Sequence, residues 1–296
     1  MIAEDTTSSF GAETFPLKPL KAATLVLVLL AAHSCTAEAA RLSAEQAKVL
    51  ESARDSALKY REQLPDFICT QITHRSTASK FVGTMGAGMA SRNPGAMPAG
   101  PENSSDLIEE RLTYVARREN YEVVSVGGQK VKGMTHSQIQ GGAISGGEFG
   151  SVLAQIFEPS SQTTFTWDRE ANLHGRRTYV LGFRVPKEAG TTVADGKTHN
   201  QTIVSFSGQI FIDPDTLNVL EISSRHDMPP GFPIQVIERR IEYAPRQIAG
   251  KNYNLPSHSR LHMEDGSHIY VNTIDFTSYH RFSSESTIRT VETAPN

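Results

Sequence analysis

The sequence has few cysteines, a single tryptophan and no surplus of one charge. Only two of its 296 residues are cysteines, so at most one intramolecular disulfide can form. The formal net charge is -3. A balance this close to zero predicts no basic surface for nucleic acid and no basic run for an anionic membrane surface. The hydrophobic content of 38% and the charged content of 21% are ordinary for a globular protein with a sizeable core.

Motifs for catalysis and for cofactor binding are missing as well. The chain contains neither a G-x-S-x-G elbow nor an H-E-x-x-H helix. Its glycine-rich segment, residues 141–147, fits no G-x-G-x-x-G pattern, and neither Lys-Ser nor Lys-Thr follows it. We therefore interpret this segment as a hinge and predict no enzyme activity, no catalytic residue and no cofactor.

Three histidines near the C-terminus, His258, His262 and His268, are the best candidates for a metal site. Four residues along a strand separate the first two by about 13 Å, too far for one metal at about 2.1 Å per ligand. A hairpin with a glycine bulge at Asp265-Gly266 pairs His262 with His268 and separates polar from apolar side chains by face. Two ligands do not complete a site, so we predict a solvent-facing pair and no metal.

The N-terminal region predicts export from the cytoplasm. Lys18 and Lys21 precede an apolar run, Ala22 to Ala32, which is too short to span a bilayer. Ala37-Glu38-Ala39 then has the small-x-small pattern of a cleavage site. We predict a signal peptide over residues 1–39 and a protein that is periplasmic or associated with the outer membrane. Lipidation at Cys35 is the less favoured alternative, because His33 stands where lipoprotein signals have a small residue.

After such cleavage Cys69 is the one remaining cysteine. It lies in Phe67–Ile72, a run with strand composition, and free cysteines are among the most buried residues in proteins. We expect a buried side chain. A hydrolase that uses Cys69 as its nucleophile is an alternative, and it requires an exposed thiol.

Residues 40–296 have the patterns of a single β-rich domain that begins with a helix. Ser43 and Gln46 form a capping box ahead of a helix predicted over Ala44 to Leu64. A strand is predicted from Phe67 to Thr77, and a flexible Gly/Met/Pro-rich insertion at about 83–105. A hairpin is predicted to turn at residues 118–120. A short apolar helix from Glu148 to Phe157 follows the glycine hinge and is either a core element or a movable lid.

Four later runs, at residues 163–169, 177–185, 203–212 and 234–243, alternate apolar and polar side chains. Such runs are typical of antiparallel strands with one packed face. The fold class predicted is α+β, a curved antiparallel sheet (an incomplete β-barrel) covered by the N-terminal helix and the short internal helix. The apolar face and the short helix together supply a candidate ligand-binding wall: Phe165, Trp167, Tyr179, Leu181, Phe183, Phe206, Phe149 and Leu153. A plain packed core has the same composition.

The order of these elements resembles the outer-membrane lipoprotein carrier and receptor superfamily (LolA/LolB-like) and related envelope proteins. The resemblance covers roughly residues 41–280. It lies in Phe165-x-Trp167-Asp168-Arg169, in Gly175-Arg176-Arg177-x-Tyr179-Val180-Leu181-x-Phe183, and in Gly208–Thr216 followed by Val219–Ile222. It implies an incomplete barrel, closed by helices around a hydrophobic cavity that holds acyl chains.

The function predicted is a non-enzymatic cell-envelope protein that binds lipid or lipoprotein acyl chains, with an envelope protein as a further partner. The alternative is an exported structural or protein-interaction module with a filled core and no ligand. Composition does not separate the two, because ligand pockets and cores are both lined mainly by apolar side chains.

Overall fold

The computed structural model describes residues 42–80, 104–139, 141–144 and 146–282. The predicted signal peptide, the lipidation candidate Cys35 and residues 83–103 of the predicted insertion lie outside the described residues. The last two residues of that insertion, 104 and 105, begin a strand. Within the described ranges, no helix is both long enough and apolar enough to cross a membrane.

The described residues contain two α-helices, α1 at Ala44–Gln63 and α2 at Ser151–Phe157. The capping box predicted for α1 is confirmed: the Gln46 N–H donates to Ser43 Oγ, and the Ser43 N–H donates to Gln46 Oε1. The predicted start of the second helix at Glu148 was wrong by three residues. The Phe149 N–H donates to the Glu119 side chain, so this stretch forms a turn before the helix begins.

Thirteen strands follow in the described residues. They are β1 Phe67–Ser79, β2 Ser104–Val115, β3 Arg118–Val126, β4 Gln129–Lys130, β5 Thr164–Leu173, β6 Arg176–Val185, β7 Thr191–Ala194, β8 Gln201–Val204, β9 Phe206–Ile212, β10 Val219–His226, β11 Ile234–Ile248, β12 Lys251–Asp265 and β13 His268–Arg281. Eleven of them form one antiparallel sheet in the order β4-β3-β2-β1-β13-β12-β11-β10-β9-β6-β5. The remaining two, β7 and β8, form a separate hairpin. The sheet is curved and open, as the predicted fold class requires.

The run predicted as one strand over residues 203–212 is divided between the two sheets. It breaks at Ser205, with β8 on one side paired to β7 and β9 on the other paired to β6 and β10. The predicted hairpin turn at residues 118–120 was also wrong. The chain turns earlier, at Ala116 and Arg117, which both have left-handed backbones (φ 50° and 63°) suited to a two-residue turn.

The predicted register of the last hairpin was wrong, and with it the pairing of His262 with His268. His262 lies opposite Val271, and the turn falls at Gly266-Ser267, one residue later than predicted. The Asp265 carboxylate determines this turn, since its Oδ1 accepts hydrogen bonds from the N–H groups of Ser267 and His268, each at 2.7 Å. His262 Nε2 lies 2.7 Å from Glu264 Oε1 instead.

The helices cover part of the concave face of the sheet. Side chains of α1 and α2 pack on β6, β9, β10 and β11 in one buried cluster. Two further residues, Leu64 directly after α1 and Phe149 in the turn before α2, join a second cluster on β1, β2, β12 and β13. The predicted burial of Cys69 is confirmed in that second cluster.

Gly208 in β9 lies where the backbones of β9 and β10 approach closely. A Cβ atom at this position would lie 1.8 Å from the backbone oxygen of Ser223. We expect Gly208→Ala to lower the free energy of unfolding by about 1–3 kcal/mol or more, because the backbone at Ser223 has to move to admit the methyl group. Urea unfolding measures the change.

The matched control is Gly196→Ala, since a Cβ atom there meets nothing within 4 Å. This variant should stay within about 0.5 kcal/mol of the parent protein. Equal losses in the two variants would contradict the close approach at Gly208.

Candidate functional site

A cavity of about 1290 Å³ lies on a part of the concave face where no residue of α1 or α2 contributes to its lining. Its floor consists of side chains from β11, β12 and β13, namely Ile234, Ile237, Leu261, Met263 and Tyr270. Its sides come from residues 132–134, 137–139, 141–144 and 146, and from β7 with the turn that follows, at residues 191–197 and 199. The floor is apolar, and these floor residues pack with Val193 and Val204 in one hydrophobic cluster.

Several polar side chains line the same cavity. Lys197 Nζ lies 2.7 Å from Asp265 Oδ2, and the Tyr270 hydroxyl donates to the same oxygen at 2.8 Å. His226 is buried, and its ring stacks on Phe206 with centroids 5.3 Å apart. Burial, together with nearby Arg239, lowers the pKa of His226 to about 4, so its imidazole is neutral at neutral pH.

The described part of the glycine-rich segment, residues 141–144, 146 and 147, crosses the concave face as a strap held through its backbone. Three side chains of the sheet donate to its carbonyl groups: Arg75 to Gly141, Asn272 to Ala143 at 2.8 Å, and Arg239 to Gly146 at 3.2 Å. These donors belong to one row across the sheet, since Arg75 pairs with Asn272, Asn272 with Leu261, and Leu261 with Arg239. Directly opposite residues share a face, so the row points at the strap as a unit.

The far end of the strap is held by a carboxylate. Glu119 accepts hydrogen bonds from the N–H groups of Gly147 at 3.0 Å and Phe149 at 3.2 Å, and from the Tyr121 hydroxyl. Burial, with a further contribution from Glu148, raises the pKa of Glu119 to about 7. The strap is therefore fixed by donors at its carbonyls and by an acceptor at its amides.

The structure gathers seven of the eight predicted wall residues in one cluster. Leu153, Leu181, Phe183 and Phe206 are buried there, and Phe165, Trp167 and Tyr179 pack against it partly exposed. Phe149 belongs to the second cluster. Among the described residues that line the cavity, none is one of these eight. Their role as a ligand wall stays a prediction; one of them, Phe206, stacks on His226, which lines the cavity.

The sequence predictions missed the row of donors Arg75, Asn272 and Arg239 and the residues that line this cavity. One signal was available: Arg239 stands between Ile237 and Ile241 in the alternation of β11, so its side chain shares their apolar face. A charged residue on an otherwise apolar face marks a place where something polar is bound. Asn272 stands in the same way between Tyr270 and Ile274. The backbone groups that these residues bind could not be read from the pattern.

Cys69 has none of the properties of a catalytic thiol. Its side chain is 1% exposed, and burial raises the pKa of the thiol well above its ordinary value. A thiolate is the nucleophilic form, so this environment argues against the hydrolase hypothesis.

Comparisons with protein-family models and with curated proteins find no match for this chain. Among solved structures it is similar to a LolA superfamily protein from Nitrosomonas europaea, at 12% identity over 79% of this chain and 94% of that one, with a TM-score of 0.33. A domain described as an outer-membrane lipoprotein-sorting protein from Vibrio parahaemolyticus gives 11% identity, coverages of 82% and 95%, and a TM-score of 0.38. A DUF1329 family protein from Desulfovibrio piger is 14% identical over 80% of this chain and 95% of that one, with a TM-score of 0.33. These similarities include the superfamily that the sequence resembles, and they concern the fold alone.

Removing one donor of the polar row should loosen the strap. We expect Asn272→Ala to speed amide hydrogen exchange at residues 141–147 by about fivefold, since a lost hydrogen bond costs about 1 kcal/mol and shifts local opening accordingly. The control is Thr273→Ala, one residue along β13 on the opposite face, which should leave this exchange unchanged. Equal exchange in both variants would show that Asn272 does not hold the strap.

Glu119 should make stability depend on pH in a direction that its environment determines. Its folded-state pKa of about 7 is higher than that of an unfolded glutamate, so the folded protein binds the proton more tightly. The stability that Glu119 contributes is fully present below about pH 4.5, which is the ordinary pKa of a glutamate, and is lost as the pH rises through about 7.

Urea unfolding of the parent protein and of Glu119→Gln between pH 4.5 and 8 tests this expectation. As the pH rises, the unfolding free energy of the parent protein should fall relative to that of Glu119→Gln. His226 has the opposite effect because its pKa is lowered, but it is present in both proteins and cancels in the difference. The exposed Glu62→Gln serves as control, and a pH-independent difference for Glu119→Gln would refute the assignment.

Proposed function

We propose that this protein is an exported, non-enzymatic envelope protein that binds acyl chains of a lipid or lipoprotein in the cavity under the strap. The observation that carries the proposal is the apolar floor of this cavity. Ile237, Leu261 and Tyr270 face a space of about 1290 Å³ that no side chain of α1 or α2 lines. Small-molecule sites are commonly concave, mostly apolar and equipped with a few polar groups.

The polar groups of the cavity suit a ligand with an anionic head. Arg239 brings a guanidinium group to its lining, and Lys197 brings an ammonium group that is paired with Asp265; both kinds of cation prefer phosphate or carboxylate partners. A phospholipid or fatty acid combines such a head with an acyl chain for the floor. Location in the periplasm or at the outer membrane, where lipoproteins and lipids are the available ligands, is part of the same proposal.

Access to the cavity is proposed between the strap and the β7–β8 hairpin. Ile144 of the strap lines the cavity and is 40% exposed, so it offers apolar surface at the margin. The predicted wall would extend the site beyond Phe206 if α2 moved away from it. In that extended form Trp167 and its neighbours would contact the far end of a long acyl chain.

The alternative function is a protein-interaction module with a filled core. The packing of α1 and α2 favours it, because Leu153, Ile156 and Phe157 already occupy the concave face in front of the predicted wall. On this alternative the cavity holds only solvent, and the strap is a structural cover.

Native mass spectrometry of the protein purified from a bacterial periplasm, with solvent extraction of bound molecules, separates the two functions. A co-purified phospholipid or fatty acid supports the proposal. A clean apo mass that remains unchanged after addition of palmitate or phosphatidylglycerol micelles contradicts it and favours the interaction module.

Substitutions then locate the ligand. We expect Met263→Asp, on the cavity floor, to reduce uptake of a fluorescent fatty acid at least tenfold, because a negative charge replaces apolar contact and repels the carboxylate of the ligand. His262→Asp, the next residue on the opposite face, should leave uptake unchanged. Full uptake by Met263→Asp would contradict the cavity as the site.

Trp167→Asp tests the predicted wall. Lost uptake would extend the site to it, whereas full uptake would restrict the ligand to the cavity.

A further inference from the structure

Two glutamates face each other on the outer surface of the sheet, away from the cavity. Glu221 of β10 and Glu242 of β11 are direct cross-strand partners. Their chain neighbours Ile222 and Ile241 point the other way, into the core. Like charges directly opposite each other destabilise a sheet, so this pair requires a compensating positive charge.

The compensation within the protein is incomplete. The side chain of Glu221 is only 3% exposed, and Arg240 Nε lies 3.4 Å from its Oε1. Its other oxygen, Oε2, is buried and has no hydrogen-bond partner among the described residues. A buried carboxylate oxygen without a partner is costly, and a bound cation would relieve that cost.

A histidine completes the group from another part of the sheet. His174 lies at the tip of the β5–β6 hairpin, where its left-handed backbone (φ 50°) and that of Gly175 (φ 85°) form the turn. The Gly175 N–H donates to Asn172 Oδ1 at 2.7 Å, which holds the tip in place. One ligand atom each from His174, Glu221 and Glu242 lie within 4.8 Å of one another.

We propose that His174, Glu221 and Glu242 bind a divalent transition-metal cation, with zinc as the best match. One imidazole and two carboxylates suit Zn²⁺, whereas Mg²⁺ and Ca²⁺ prefer oxygen ligands alone. Three ligands at about 2.1 Å in a tetrahedral arrangement are about 3.4 Å apart, so ligand atoms that lie within 4.8 Å of one another move together by at most about 1.4 Å on binding. A water molecule would take the fourth position.

The positions of the ligands allow this closure. His174 is exposed at a hairpin tip and Glu242 is half-buried, so both side chains have room to move. The Arg240 side chain is 57% exposed and is able to turn towards solvent when a cation replaces it beside Glu221. On the neighbouring strand β12, Arg260 lies opposite Arg240 and His258 lies opposite Glu242; His258 Nδ1 already lies 2.9 Å from Asp275 Oδ1.

Zinc binding at this site would connect the β5–β6 hairpin to β10 and β11. In the sheet, β9 lies between this hairpin and those two strands. The site does not depend on the cavity or on any acyl ligand. Because zinc would bind the folded protein and not the separated ligands of the unfolded chain, it should raise the melting temperature by mass action.

The test is equilibrium dialysis of the full chain, stripped with EDTA, against ZnCl₂, combined with thermal unfolding. We expect one bound zinc and a higher Tm, and no change in Tm with MgCl₂ at the same concentration. His174→Ala and Glu221→Gln should each weaken zinc binding by at least about tenfold, since even residues behind metal ligands cost that much.

Two control measurements separate a lost ligand from a lost fold. In EDTA, the melting temperature of Glu221→Gln should equal or exceed that of the parent protein, because the substitution removes one of two opposed charges. Its loss of zinc binding then reflects a lost ligand and not a lost fold. His258→Ala, the neighbouring histidine, should retain zinc. Absence of zinc binding, or loss of zinc in His258→Ala with retention in His174→Ala, would overturn the proposal.

Discussion

The concave face of an open, curved sheet must be covered by other parts of the chain, because half of every strand's side chains point into it. In this protein α1 and α2 bring apolar side chains to β6, β9, β10 and β11. The strap crosses another part of the same face, where Arg75, Asn272 and Arg239 bind its carbonyl groups. One face thus has two covers of different chemistry, and the cavity adjoins the second.

The two covers differ in what it costs to lift them. Removing a buried leucine or phenylalanine from its contacts costs about 1.5–3 kcal/mol for each side chain, and α2 alone buries Val152, Leu153, Ile156 and Phe157. A hydrogen bond to the strap costs about 1 kcal/mol to exchange for water. The strap is therefore the easier cover to open, which is why the proposed ligand site is assigned to the cavity rather than to the predicted wall behind the helices.

Strand alternation separates this proposed ligand site from the proposed metal site. Along β10 and β11 the apolar residues Ile222 and Ile241 face the core, while Glu221 and Glu242 beside them face outwards. A change to either surface therefore need not disturb the other. The proposed metal site combines Glu221 of β10, Glu242 of β11 and His174 of the β5–β6 turn. These residues meet only because the β5–β6 hairpin brings His174 to β10 and β11.

The sequence by itself determined the features that depend on neighbours in the chain. The capping box at Ser43 predicted where α1 begins, and alternation predicted most strands, because both are set within a few residues. Only the tertiary structure brought Lys197 to Asp265, 68 residues away, beside the last hairpin turn. It alone also brought the donors of the polar row to the strap. Such contacts join distant residues through the curvature of the sheet, and no local pattern encodes them.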